Sequence, residues 1–413
     1  MVSAWHTWLT PTFEARRLTQ TGYRPEMSER FLADAVLLNS GGREVARLER
    51  LEISQESAQA LTQAVEQRWG QAVWLLHDGG LELGRRGTAA RFEVQGKGGA
   101  VLPGVPNDRP WQRPGWRAQI GAWLETELNE SPQRLTVIHA SDIGCVLSME
   151  TGQGRRYFKA GEDGREVRAA LEAARLFPTL TPEILAADEQ RGWLLTRDAG
   201  VCLLTSVRLD DWRGGVARLT QVQQGASFAG VPIHRFAELP ARAEALLLDT
   251  AALTHWGLNT EQLRFVQALL SPFWAAYEHV AALGLPDTPA HGDFHPNNVL
   301  IDAEGVVRLF DWSEGCTQHP LLDLGWLLAF VQHPARAEHP VRMALPELAQ
   351  TLWRDWLSAW KLTTALRWQD AALVALIHRA VVYDARYRSW TGSVPGFRPQ
   401  FTPYYLNMAR HFA

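Results

Sequence analysis

The chain has 413 residues, 46% hydrophobic and 21% charged, proportions that exclude a disordered, collagen-like or low-complexity protein. At roughly 150 residues per domain, this length predicts about two to three domains. Lysine and arginine number 41 against 45 aspartate and glutamate, a net charge of -4, which argues against a dedicated nucleic-acid binder or an electrostatically attached membrane protein.

The three cysteines, Cys145, Cys202 and Cys316, lie too far apart for a disulfide framework or a Cys-ligated zinc site, so a reducing, cytoplasmic setting is expected. The opening MVSAWHTWLTPTFEARR lacks the basic-then-apolar order of a secretory signal. No stretch reaches the roughly 18 apolar residues of a membrane span.

In chain order, Phe31 to Leu38 and Ala72 to Leu76 read as strands, each followed by a turn cluster, with helical spacing from Ser54 to Arg68 between them. These predict a small α+β domain over residues 1–110, closing in the Gly/Pro-rich stretch Gly96 to Pro114. A bridging helix is expected within 111–130, at Gly115 to Leu128. Residues 131–200 read as a strand-rich small lobe. Leu135 to His139, Cys145 to Met149 and Arg155 to Lys159 are strands, the last two joined by a tight turn at Thr151-Gly152-Gln153-Gly154. A helix from Glu166 to Phe177 and an extended Trp193 to Thr196 complete it. Residues 201–413 read as a helical large lobe, with amphipathic stretches at Ala241 to His255 and Glu261 to Ala282, the latter kinked or split at Pro272.

The most informative segment is His291-Gly292-Asp293-Phe294-His295-Pro296-Asn297-Asn298, followed by an apolar strand, a turn at Asp302 to Gly305, and a returning strand that delivers Asp311-Trp312. In an antiparallel hairpin the residue before the first strand and the one after the second share the open end, so Asn298 and Asp311 should be neighbours. Two oxygen-bearing side chains there, with Asp293 on the loop before them, make a candidate hard-cation site beside a base. Phosphoryl transfer needs these parts: a cation bridging phosphate oxygens, a lysine on the phosphates, and a carboxylate receiving or orienting the acceptor hydroxyl. Lys159, Asp293, Asn298 and Asp311 are the candidates.

His291-Gly292-Asp293 with Asn298, Asp311-Trp312 and the later Asp323-Leu324 resembles the aminoglycoside phosphotransferase and choline kinase family, over roughly residues 130 to 413. The resemblance implies a bilobal protein-kinase-like fold of the α+β class, ATP bound between the lobes with Mg²⁺, and phosphorylation of a small molecule's hydroxyl. It implies that Asp293 is the catalytic base, that Asn298 and Asp311 bind magnesium, and that Lys159 contacts ATP phosphates. Ser141 to Gly144 occupies the position of the phosphate-covering loop, where Ser141 and Gly144 are expected to contact the nucleotide, and it departs from a Gly-rich loop in holding one glycine. Thr196 to Asp198 would form the hinge that hydrogen-bonds adenine.

Two glutamates compete to hold Lys159. Val167, Ala170, Leu171, Ala174 and Phe177 form one expected apolar face, with Glu166 at its edge and Glu172 nearly opposite, so phase favours Glu166. The family's usual helix pattern keeps Glu172 open. His291, His295 and Asp323 are expected to support the loop, and Trp356, Trp360, Trp368, Tyr383, Tyr387 and Trp390 are either helical core or a cage for a cationic head group. No Ala-Pro-Glu triplet follows Asp311, which disfavours a protein substrate. The competing reading is a catalytically silent nucleotide-binding or regulatory module. Residues 1 to about 110 are expected to form a separately folded unit that is dispensable for ATP binding.

Overall fold

A computed structural model describes residues 31–38, 43–53, 58–71, 73–77, 90–94, 109–141, 143–161, 163–389 and 401–413. Its contacts divide it into two compact units, one of residues 1–164 with 184–198 and one of 165–183 with 199–413.

The first unit holds two sheets. A four-stranded sheet, in the order β2-β1-β4-β3, is built from β1 (Phe31–Leu38), β2 (Glu44–Ile53), β3 (Trp74–His77) and β4 (Ala90–Glu93). Helix α1 (Ala58–Trp69) follows β2, and a single 3-10 turn at Pro110–Gln112 leads into α2 (Trp116–Leu128). The second sheet, in the order β5-β6-β7-β9-β8, comprises β5 (Arg134–Ala140), β6 (Gly144–Thr151), β7 (Gly154–Gly161), β8 (Ile184–Asp188) and β9 (Trp193–Arg197). The turn expected between β6 and β7 is present, with Thr151 paired to Gly154.

One apolar core serves both sheets. Leu37, Leu61, Leu75 and Phe92 of the N-terminal elements belong to the same buried cluster as Trp111, Ile120, Leu147, Phe158 and Trp193. The rings of Trp123, Phe158 and Trp193 meet edge to face at 5.4–5.7 Å. The boundaries near residues 110 and 130 mark changes of element type; the packing continues across them.

The second unit is mostly helical. It contains α3 (Arg165–Leu176), β10 (Val201–Cys202), α4 (Leu209–Gln223), β11 (Ile233–His234), α5 (Leu239–Leu248), α6 (Thr250–His255), α7 (Thr260–Ala268) and α8 (Leu270–Ala281). Then come β12 (Thr288–Ala290), β13 (Val299–Ile301), β14 (Val307–Leu309), β15 (Cys316–Gln318), α9 (Leu321–Gln332), α10 (Pro340–Ala344), α11 (Leu348–Ala359), α12 (Trp368–Ser389) and α13 (Phe401–Ala409). Its centre is α9 against α12: every residue from Leu321 to Val331 is buried. A Cβ on Gly325 would lie 2.3 Å from the Ala371 carbonyl oxygen, so the two backbones approach as only glycine permits.

Two helical expectations shift. The stretch from 261 to 282 divides at Leu269, not at Pro272, which falls in the first turn of α8 where its missing N–H costs nothing. The stretch from 241 to 255 divides at Asp249, whose carboxylate caps α6 by accepting from Ala252 N–H at 2.9 Å. Among the described residues no helix is long and apolar enough to cross a membrane.

Candidate active site

The segment singled out in the sequence forms one constellation within the second unit. Strands β13 and β14 pair antiparallel, Val299 with Leu309 and Ile301 with Val307. Their turn closes on Asp302, which accepts from Glu304 N–H and Val306 N–H and pairs with Arg308 at 2.6 Å. At the open end Phe310 N–H donates to the Asn298 carbonyl at 3.1 Å, and Asp311 is the next residue. The hairpin thus brings Asn298 and Asp311 to one end, as the spacing required. Asp311 sits in left-handed backbone at φ 61, a conformation Asp tolerates better than most residues.

Asp293 is tied to this end from below. Asn298 Nδ2 donates to the Asp293 carbonyl at 3.0 Å, which leaves Oδ1 as the acceptor end of the amide. Gly292 supplies the sharp bend before Asp293: its φ is +79, and a Cβ there would lie 1.9 Å from the Glu314 carbonyl oxygen. The His291 and Gly292 N–H groups both donate to buried Asp323, at 2.8 and 2.9 Å, and Gln318 Nε2 adds a third bond at 3.2 Å. Burial pushes the Asp323 carboxyl up to about 7 against these donors. Burial also pushes His291 down to about 4, so its ring is neutral at pH 7. Because Nε2 faces the Phe310 carbonyl at 2.8 Å, the proton is on Nε2 and Nδ1 accepts from Asp293 N–H at 3.4 Å. His291 and Asp323 therefore hold the loop, as expected.

The surroundings of the Asp293 carboxylate were not foreseen. Its Oδ1 accepts from Trp326 Nε1 at 2.8 Å and pairs with Arg379 Nη2 at 3.0 Å, while His295 Nε2 lies 3.7 Å from Oδ2. Burial opposes the charge, yet the Arg379 guanidinium, with His295 beside it, holds the carboxyl well below the usual carboxylate range. Arg379 is itself buried; it also donates to the Gly292 carbonyl and to Tyr405 Oη, and lies 5.0–5.3 Å from the ring centroids of Trp326, Tyr383 and Tyr405. The signal available in the sequence was a charge inside the apolar run of 371–381, since a buried arginine demands a partner.

Of the candidate cage rings, Tyr383, Trp356, Trp360 and Trp368 have packing partners within the protein. Tyr383 lies against Arg379, a cation of the protein's own, whereas Trp356 is fully buried and donates to Gln223 Oε1 at 3.0 Å. Trp360 and Trp368 pack on Trp356 and Phe412 respectively, and Trp390 lies outside the described residues.

The remaining candidates lie on the five-stranded sheet of the first unit or just beyond its strand ends, apart from Glu166. Lys159 on β7 pairs with Val146, and Gly144 pairs with Gly161, so lysine and hairpin are one two-residue step apart along neighbouring strands, about 7 Å at strand rise. Ser141 is fully buried. Its Oγ lies 2.7 Å from His139 Nε2 and accepts from Ile143 N–H at 3.3 Å, so its side chain shapes the hairpin instead of facing outward. Thr196 pairs with Tyr157 on one side and Ile184 on the other, and Asp198 N–H already donates to the Arg155 carbonyl at 3.2 Å.

On α3, in the second unit, Glu166 joins Val167, Ala169, Ala170 and Ala173 on the buried face. Leu171, placed on that face by sequence phase, is 41% exposed. Glu172 pairs with Arg175 at 2.8 Å and accepts from Ala229 N–H at 3.3 Å, so its carboxylate is engaged on the outer side of the helix.

Residues 151–374, more than half of the chain, match the family model described as the phosphotransferase enzyme family, and the chain belongs to that family. Among solved structures, choline kinase LicA from Streptococcus pneumoniae is 12% identical with a TM-score of 0.51, the match covering 72% of this chain and 98% of that one. Aminoglycoside phosphotransferase APH(4)-Ia is 14% identical with a TM-score of 0.50, again over 72% and 98% of the two chains. At these identities the likeness is one of fold, and the fold is the protein-kinase-like one. No curated protein matches the sequence.

Proposed function

We propose that the protein is an ATP- and Mg²⁺-dependent kinase that phosphorylates a hydroxyl of a small molecule. The observation that carries this reading is the Asp293 carboxylate, fixed through Oδ1 by Trp326 and Arg379, with the Asn298 amide and Asp311 beside it at the hairpin mouth. Family membership supplies the reaction type, phosphoryl transfer.

A carboxylate held ionised by a buried guanidinium is a weak proton acceptor and a permanent hydrogen-bond acceptor. Phosphoryl transfer through a loose transition state demands little base strength and much positioning, so Asp293 acts by accepting the acceptor's O–H and aiming its oxygen. As the acceptor's O–P bond forms, the bond from the γ-phosphorus to the β,γ-bridging oxygen of ATP breaks and ADP leaves, and Asp293 receives the hydroxyl proton at Oδ2, the oxygen not bonded to Trp326.

The donor set at the hairpin mouth fits Mg²⁺: an amide oxygen and a carboxylate, both hard ligands. Among the described residues no group of three His, Cys, Asp or Glu is arranged to hold a metal ion by itself; in this reading the remaining ligands would be phosphate oxygens of the nucleotide. When bound, the cation supplies charge neutralisation on those oxygens. In the same reading Lys159 and the backbone of the Ser141–Gly144 hairpin would meet the nucleotide phosphates, and Glu166 is proposed, from helical phase, as the lysine's carboxylate partner. Adenine would be met by backbone groups of the segment 196–198 other than the Asp198 N–H.

The test is a screen of hydroxyl compounds, including amino-alcohols, sugars and aminoglycosides, for acceptor-dependent ADP release from ATP with and without Mg²⁺. Metal-dependent turnover on at least one acceptor is expected. Mg²⁺-ATP binding with no turnover across the panel would instead favour the silent module.

A further inference from the structure

The Ser141–Gly144 hairpin is glycine-poor, and it is tied both within itself and to groups outside it. Ser141 N–H donates to the Gly144 carbonyl at 3.0 Å, closing the turn. The Ser141 carbonyl accepts two bonds, from Trp111 Nε1 at 2.7 Å and from Gln112 Nε2 at 3.1 Å, so both of its lone pairs are engaged by one 3-10 turn. Trp111 and Gln112 are 1% and 3% exposed, which removes competing water from these bonds.

The same turn reaches the N-terminal sheet. Gln112 Oε1 accepts from Arg91 Nη2 on β4 at 3.2 Å, and Trp111 belongs to the apolar cluster that contains Leu37, Leu61 and Phe92. A continuous path of bonded and packed groups thus runs from β4 through Gln112 to the Ser141 carbonyl, all within the first unit.

We infer that Trp111 and Gln112 are positioning residues for nucleotide binding: they latch the Ser141–Gly144 hairpin to the N-terminal sheet, and that sheet is the base against which the loop is held. This rests on the kinase reading above. It replaces the expectation that everything before residue 110 is dispensable, because the latch residues receive their own support from β4 and its neighbours. The physical argument is preorganisation. A multi-glycine loop adapts to phosphates at an entropic cost, whereas a hairpin fixed at the Ser141 carbonyl is held in one place before the nucleotide arrives.

The test uses the full chain with Gln112→Met, which keeps the side-chain volume and removes the amide's bonds to Ser141, Arg91 and Arg109, and Trp111→Phe, which keeps most of the ring and removes the indole N–H. Calorimetry measures Mg²⁺-ATP affinity, steady-state kinetics separates nucleotide KM from acceptor KM, and hydrogen exchange reports the amides of residues 140–146. Each variant is first checked for a parent-like circular dichroism spectrum, and because buried Trp111→Phe is the riskier change for folding, Gln112→Met carries the test alone if needed. Leaving the buried carbonyl short of a partner predicts about a tenfold loss of nucleotide affinity, faster exchange confined to the hairpin, and an unchanged acceptor KM. Parent-like nucleotide affinity in a folded Gln112→Met protein overturns the latch. If the unmodified chain does not bind Mg²⁺-ATP, the kinase reading falls and the nucleotide role of the latch with it, whatever the exchange data show.

Discussion

Arg379→Met removes the cation that faces Asp293 while keeping an unbranched apolar side chain inside the cluster of Trp326, Tyr383 and Tyr405. The side chains of Arg379 and Asp293 are 6% and 19% exposed, so the variant leaves a largely buried carboxylate with only the Trp326 indole N–H and His295 beside it. Breaking a buried pair from one side costs about 3–5 kcal/mol at neutral pH. In the parent the Asp293 carboxyl is depressed, so its stabilising contribution is complete above the unfolded value of about 4 and is lost only on further acidification, giving no slope from this group between pH 5 and 8. Without Arg379 burial dominates and the sign reverses: the carboxyl rises above its unfolded value, and the destabilisation grows as pH climbs, by up to about 1.4 kcal/mol per pH unit below the new folded value. Asp323, pushed up to about 7, gives the parent a slope of its own, a stabilising contribution lost as pH rises toward 7. Arg379 also lowers Asp323, so its removal acts in the same direction on both carboxyls. Urea denaturation of parent and variant at pH 5 and pH 8 measures the difference. A loss below about 1 kcal/mol at pH 8, or a greater loss at pH 5 than at pH 8, would refute the ion-pair argument.

Other changes separate the remaining roles. Gly292→Ala places a Cβ against the Glu314 carbonyl at 1.9 Å with φ at +79, and the expected result is a loss of at least about 2 kcal/mol in denaturation together with inactive protein; near-parent stability would contradict the bend described here. Lys159→Ala should weaken ATP binding in calorimetry and Glu166→Ala should do so to a smaller degree, whereas Glu172→Ala removes only an exposed pair with Arg175 and a bond to Ala229 and should leave affinity unchanged. Asp323→Asn turns one carboxylate oxygen into an NH₂ facing N–H donors, so the 291–293 loop should lose order and kcat should fall about tenfold or more, with stability measured alongside; an unchanged kcat would show that the loop does not depend on Asp323.

The parts of the site that the sequence disclosed are those that local chemistry encodes. The strand-turn-strand from Val299 to Leu309 announces itself by apolar alternation around Asp302 and Gly305, and its pairing then places Asn298 and Asp311. Phase along one helix correctly put Glu166 on the inner side of α3, although it misjudged Leu171, because a single helical wheel cannot say how wide the buried stripe is. Strand β2, EVARLERLEI, is composed largely of helix-favouring residues and became legible only through its pairing with β1. The Asp293–Arg379 pair and the Trp111–Gln112 latch each join residues far apart in the chain. Composition signals that a buried arginine needs a partner, but only the fold shows which partner it has.

The most direct test of the central claim is the Asp293→Asn variant, measured for Mg²⁺-ATP affinity and for turnover with an acceptor found by screening. Asparagine keeps the shape and can still accept through its carbonyl oxygen, but it cannot receive the hydroxyl proton. The account predicts nearly unchanged nucleotide affinity and a fall in kcat of about 10² to 10⁴-fold. Asp311→Asn, which removes a charge assigned to the cation, should instead weaken Mg²⁺-ATP binding as well as turnover. Equal loss of nucleotide affinity in both variants, or parent-like turnover in Asp293→Asn, would contradict the role assigned to Asp293.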